Sequence, residues 1–145
     1  MISVTCAVIR NEEEEVLVVQ RGGATDHPFK WEFPGGKLVP SETNEECIIR
    51  EVKEELSMKI VINGLLPEVE YDYGFKKIKL IPFICDTLEE IPFLTEHLAY
   101  KWMQSTDLLS VDFSEADVFV ADSYLKSINS ERLTQFPIDP VSSQQ

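Results

Sequence analysis

The sequence predicts one α+β or α/β sandwich domain in which two main helices pack on a mixed β-sheet. Short β-branched and aromatic runs, punctuated by Gly, Pro and Asn, recur along the chain and read as strands. Two longer stretches, 41–56 and 114–128, are interspersed among them with the apolar spacing of helices, an order that suits a layered sandwich. The 145 residues, 43% hydrophobic and 27% charged, suffice for one globular core without a disulfide or metal staple. The domain is expected to span residues 1–130. Residues 131–145, with Pro137, Pro140 and a Ser-Ser-Gln-Gln end, are expected to be a frayed tail.

Residues 3–9 and 16–20 are apolar runs joined by the polar stretch 11–15, a hairpin pattern. Gly22, Gly23, Asp26 and Pro28 make 21–29 a surface loop. Lys-Trp-Glu-Phe at 30–33 reads as a short strand stopped by Pro34-Gly35-Gly36. The clearest helix is 41–56, with Ser41, Thr43 and Asn44 as candidate caps and acidic residues in the first turn, where the helix dipole favours them. Its buried arc is predicted to hold Ile48, Ile49, Val52 and Leu56. Residues 60–73 and 77–87, separated by a turn at Gly74, read as a second antiparallel pair. The stretch 88–97 contains Pro92 and is a loop, 99–103 is a strand, and 106–109 is a short turn or helix. The final helix, 114–128, is predicted to bury Val118, Phe119, Ala121 and Leu125.

Charge narrows the partners. With 26 acidic and 13 basic side chains the net charge is −13, and the pI is near 4.5. Such a surface repels nucleic acid, whose affinity for proteins is built on Lys and Arg. No apolar run approaches the ~18 residues of a membrane span, and the first residues lack the basic flank of a secretory signal, so neither a membrane nor a secreted location is expected. A cytoplasmic location is the expectation. Cys6, Cys47 and Cys85 are odd in number and lack C-x-x-C spacing, the pattern of reduced thiols. Monomer and homodimer are both compatible with the sequence.

The chemistry concentrates in the first helix. Glu51, Glu54 and Glu55 stand at i, i+3 and i+4 and share one arc. Like charges so spaced cost an isolated helix a few tenths of a kcal/mol, so the crowding calls for a cation; oxygen-only ligands suit Mg²⁺ or Mn²⁺. An E-x-x-E-E arc can equally be a solvated face. The wider spacing decides: Gly36, five residues, Glu42, seven residues, then Arg50-Glu51-Val52-Lys53-Glu54-Glu55-Leu56-Ser57-Met58. This resembles the Nudix box, G-x5-E-x7-R-E-U-x-E-E-x-G-U with U aliphatic, departing only at Ser57, where the family has glycine. Trp31-Glu32-Phe33-Pro34-Gly35-Gly36-Lys37 is similar to the segment entering the box in the MutT-type branch, and the resemblance extends over residues 3–125.

The resemblance implies a Nudix-type α/β/α sandwich with a mixed sheet, and Mg²⁺-dependent (Mn²⁺ as an alternative) hydrolysis of a nucleoside triphosphate to monophosphate and pyrophosphate. Expected substrates are (d)CTP or a modified or oxidised nucleotide such as 8-oxo-dGTP. Hydrolysis of nucleotide sugars or dinucleotides, or non-catalytic nucleotide binding, are the alternatives. It implies Glu51, Glu54, Glu55 and the Gly35 carbonyl as metal ligands, with Arg50 and Glu42 orienting the carboxylates and Gly36 easing close backbone approach. Glu96 matches a loop glutamate that binds metal or helps activate water, Arg21 a phosphate or sugar contact, and Asp117 a residue that hydrogen-bonds the nucleobase. Asp117 can equally be an acid at a helix N-terminus. As a carboxylate it would accept only, selecting N–H donors on the base. Lys37 and Lys76 or Lys77 are phosphate candidates or ordinary surface lysines; Phe33, Tyr73 and Phe75 are candidates to wall the base, Phe33 alternatively being core. His27 and His97 read as inert loop histidines. A serine in place of the box glycine should cost about 1 kcal/mol or less in an αL cap and alter only the following loop.

Overall fold

Alternation along three long strands creates a sheet that is buried on both faces. A computed structural model describes residues 1–135, so residues 136–145 of the expected tail lie outside the described residues. The strands are β1 (Ile2–Arg10), β2 (Val16–Gln20), β3 (Trp31–Glu32), β4 (Gly35–Lys37), β5 (Val61–Leu65), β6 (Val69–Asp72), β7 (Lys77–Asp86) and β8 (Ala99–Met103). They form one mixed sheet of order β3-β2-β1-β7-β5, with β4 on β1, β6 on β7 and β8 on β2. Its centre is the parallel pair β1 and β7, in register from Ile2 opposite Ile78 to Arg10 opposite Asp86.

On one face Cys6, Val8, Val16, Val18, Ile78 and Leu80 form a core with Leu108, Phe113 and the helix α2 (Glu115–Gln135). On the other, Ala7, Ile9, Leu17, Val19, Ile81, Phe83 and Cys85 pack against Ile48, Val52 and Leu56 of the helix α1 (Asn44–Leu56). Burial on both faces is why these strands read as continuous apolar runs. The result is the predicted α/β/α sandwich. All three cysteines are buried free thiols. Among the described residues no helix is long and apolar enough to cross a membrane.

Helix α1 begins at a capping box. The Glu46 N–H donates to Thr43 Oγ1 at 3.1 Å and the Thr43 N–H to Glu46 Oε1 at 2.9 Å, which selects Thr43 among the candidate caps. It ends at Ser57, in the left-handed region (φ 54°, ψ 37°), whose N–H donates to the Lys53 carbonyl. The box serine thus adopts the conformation that favours glycine.

Several elements depart from the sequence reading. Gly35 and Gly36 do not stop a strand; they are one, paired with β1 from Val4 opposite Lys37 to Cys6 opposite Gly35. The stretch 60–73 is two strands, because Pro67 interrupts it and the Leu66 N–H turns in to donate to Pro82 O. Ile49 is 46% exposed, and Cys47 takes its place on the buried side of α1. Helix α2 continues to Gln135, past the predicted end at 128. It buries Ala116, Val120, Ala121 and Tyr124, whereas Val118 and Phe119 are exposed and Leu125 is half-buried. The large aromatic Tyr124, which the sequence reading did not place on the core face, supplies the core contact expected of Phe119.

The ends of α1 give a test. Ser57→Gly should raise the unfolding free energy by about 0.5–1 kcal/mol and Thr43→Ala lower it by about 1 kcal/mol in urea titrations.

Candidate active site

The segment from Phe33 to Lys37 organises the site, since it runs between β1 and α1 with no room for side chains at its glycines. A Cβ on Gly35, at φ 157°, would overlap the Thr5 carbonyl, and one on Gly36 would overlap the Glu51 carboxylate. Two amides of this segment reach carboxyls from different elements: the Phe33 N–H donates to Asp117 Oδ2 at 2.8 Å and the Gly35 N–H to Glu55 Oε1 at 3.2 Å. The two amides are two residues apart, at most about 7 Å of chain. An acid of α1 and an acid of α2 are thereby brought to one place.

Arg50 organises the outer carboxylates. Its Nε and Nη2 donate to the two Glu42 oxygens at 2.6 and 3.0 Å, and its Nη1 to Glu51 at 3.1 Å and Glu54 at 3.0 Å. Nη2 also reaches the Lys37 carbonyl, tying the helix to β4. The guanidinium holds the Glu42 carboxyl at about 2, and Arg50 itself is raised above its ordinary value by the Glu42 bond and then by Glu51. Glu51 is shifted upward, chiefly by burial, with Arg50 opposing and Glu54 and Glu96 adding like charge. Glu55, buried and without an ion pair, is pushed up to about 9 by burial, then by Glu32, Glu51 and Glu96.

Of these groups Glu55 borders a cleft of about 370 Å³. Of the predicted residues, Glu55, Glu96, Gly35, Gly36, Arg21, Lys37, Phe33, Tyr73, Lys76 and Asp117 line it. Glu51 stands behind Gly36, and Glu54 is exposed on Arg50; neither lines the cleft. Phe75 does not line it either: its ring is 66% exposed and neighbours His27 and Tyr73. Lys77 faces away, on β7, opposite Asp72. Phe33 satisfies both readings, packing on Phe113 in the core while bordering the cleft.

The structure adds residues the sequence reading passed over. Glu32 binds Arg21 Nη1 at 2.8 Å and His97 Nε2 at 2.8 Å. Asp26 pairs with Arg21 and Lys76 at 2.7 and 2.6 Å. Lys37 is the cleft cation without an ion pair among the described residues. His27 and His97, read as inert, both line the cleft. Glu32 was legible only as part of an aromatic strand, because its partners are 11 and 65 residues away. The tightest acidic grouping among the described residues is elsewhere: Glu13, Glu15 and Glu90 bring oxygens within 4.8 Å of one another, and none lines the cleft. Glu51, Glu54 and Glu55 are not gathered that closely; Arg50 bridges the first two, and Glu55 faces Gly35.

Asp117 also departs from expectation. Burial, then the charge of Glu32, raises its carboxyl well above the usual range, with the Phe33 N–H and Arg21 opposing. A buried carboxyl with a raised pKa keeps a proton that the unfolded chain has released, so its contribution to stability falls as pH rises from the unfolded toward the folded value. For Glu55 that window runs from 4.5 to about 9. Urea midpoints measured in chelator should therefore decline across it, and Glu55→Gln and Asp117→Asn should each flatten the decline.

Known proteins share this arrangement's sequence and fold. The chain is 29% identical over 116 residues to an 8-oxo-dGTP diphosphatase of Escherichia coli K12, covering 80% of this chain and 90% of that one. It is 26% identical over 129 residues to the CTP pyrophosphohydrolase of the same organism, covering 86% and 92%. Its fold is similar to the crystal structure of a MutT protein from Methanosarcina mazei Go1, with a TM-score of 0.80 and 27% identity over 87% of this chain and 94% of that one. The family model of the NUDIX domain matches residues 1–122, and the chain belongs to that family.

Proposed function

We propose that the chain is a divalent-metal-dependent pyrophosphohydrolase that cleaves a nucleoside triphosphate to monophosphate and pyrophosphate. The carrying observation is the double use of one short segment: the amides of Phe33 and Gly35 hold Asp117 and Glu55 in a single cleft. A nucleotide lying along that cleft would meet a base-reading acid and the box carboxylates together.

The donor set fits a hard cation. Glu55 has three carboxylates near enough to raise its pKa and no cation paired with it among the described residues, and the absence of a side chain at Gly36 lets the Glu51 carboxylate lie against the backbone there. Glu51, Glu54, Glu55, Glu96 and the Gly35 carbonyl would hold Mg²⁺, with Mn²⁺ as the alternative. When bound, the cation supplies neutralisation of phosphate charge and a more acidic water. The chain's own groups do the rest. Arg50 and Glu42 fix the carboxylates, while Lys37, and Arg21 and Lys76 once they share their acids, contact the phosphates. Water oxygen bonds to phosphorus as the anhydride P–O bond breaks and pyrophosphate leaves; Glu96, on the loop beside Glu51 and Glu55, is positioned to take the water proton.

The substrates supported are cytidine triphosphates, including modified dCTP, and 8-oxo-dGTP. Asp117 accepts from the Phe33 N–H through Oδ2, and a carboxyl oxygen that accepts matches the N4 amine of cytosine or the N–H groups on a guanine edge. The relatives named for CTP and 8-oxo-dGTP support the same pair. Nucleotide sugars, dinucleotides or a purely regulatory role would make different use of the cleft. A panel of nucleotides read by pyrophosphate release should give turnover of one of these triphosphates, dependent on divalent metal, and Glu54→Gln should lower it by orders of magnitude with the fold intact. Preference for a nucleotide sugar or dinucleotide over every triphosphate would overturn the proposal.

A further inference from the structure

Four buried side-chain polar atoms among the described residues have no hydrogen-bond partner: Arg21 Nε, His27 Nε2, His97 Nδ1 and Ser114 Oγ. All four belong to side chains that line the one cleft. Buried polar groups are normally satisfied, so a cluster of exceptions in one concavity marks where a polar ligand completes the bonding. Ser114 is the most informative of them. It is 5% exposed and uncharged, it precedes α2, and no role has been given to it above.

A serine in that position ordinarily caps its helix, its hydroxyl accepting an N–H two or three residues on. Here both N–H groups are taken by other acceptors. The Ala116 N–H donates to the Tyr73 hydroxyl at 2.8 Å, and the Asp117 N–H to the Ser114 carbonyl at 3.0 Å. Ser114 lines the cleft with its hydroxyl buried and unpaired among the described residues, tied through its own backbone to the acid beside it. Asp117 likewise uses Oδ2 for the Phe33 N–H, and its Oδ1 has no hydrogen bond among the described residues. We infer that Ser114 is a specificity-determining residue whose hydroxyl, with Asp117 Oδ1, hydrogen-bonds the nucleobase edge of the bound nucleotide. This rests on the pyrophosphohydrolase reading and extends it. Two adjacent groups read two adjacent positions on a base, and the hydroxyl turns to donate or accept as the base requires.

The test is steady-state pyrophosphate release by the full chain over a nucleotide panel, with Ser114→Ala and Ser114→Thr compared with the parent, together with thermal unfolding. Loss of one neutral hydrogen bond should lower kcat/KM of Ser114→Ala for the preferred nucleotide by about tenfold, carried by KM. The poorest nucleotide should lose several-fold less, so that the preference narrows, and Ser114→Thr should restore it. Because the hydroxyl caps nothing, the alanine variant should melt no lower than the parent. A uniform change across the panel, no change, or a lowered melting temperature would overturn the inference. Absence of triphosphate turnover by the parent defeats both readings, whereas turnover with a preference indifferent to Ser114 defeats this one alone.

Discussion

The close passage of the Phe33–Lys37 backbone between β1 and α1 is the constraint on which the site depends. Thr5 lies against Gly35 on one side and the Glu51 carboxylate against Gly36 on the other, so any side chain at either glycine must displace what it meets. Because β1 is fixed by its long parallel register with β7 and α1 by burial of Ile48, Val52 and Leu56, the space between them is set by the core. Residues 33–37 inherit that position. Their amides then carry it to Asp117 and Glu55, and the Lys37 carbonyl to Arg50. Precision at the cleft is in this way borrowed from sheet and helix, although the segment itself is partly loop.

Charge is arranged in two tiers around that segment. Arg50 pairs with the outer acids Glu42, Glu51 and Glu54, and Arg21 and Lys76 are occupied by Glu32 and Asp26. The inner acid Glu55 has no such partner and is pushed up to about 9. With its pKa so raised Glu55 keeps its proton near neutral pH, and the proposed chemistry needs a cation there to favour the carboxylate before a polyphosphate can approach.

Local information carried much of the fold. The apolar strands, the box helix and the cluster of candidate caps from which the structure selects Thr43 were legible because period, capping and composition act within a few residues. What was not legible depends on distant partners. Gly35-Gly36 reads as a breaker, yet β1 makes it a strand. The face of α2 was misjudged because Tyr124, with its hydroxyl beside Arg10, is core, while Phe119 lies outside near Tyr71. Among site candidates, fixed spacing singled out the box residues, and the cleft gathers Glu55, Glu96 and Asp117 from two helices and a loop. Glu32, Asp26 and Ser114 escaped notice because nothing in their local sequence distinguishes them from a strand acid, a loop acid and a helix cap.

The claim that the passage of residues 33–37 shapes a cation site is tested most directly by calorimetric titration of Mn²⁺ into the protein and into Gly36→Ala. The added methyl meets the end of the flexible Glu51 side chain, so the fold should survive while Glu51 is turned aside. The account predicts saturable Mn²⁺ binding by the parent and a loss of affinity of about 10- to 100-fold in the variant, the scale expected when ligand orientation is disturbed. Equal affinity in two equally folded proteins would contradict it.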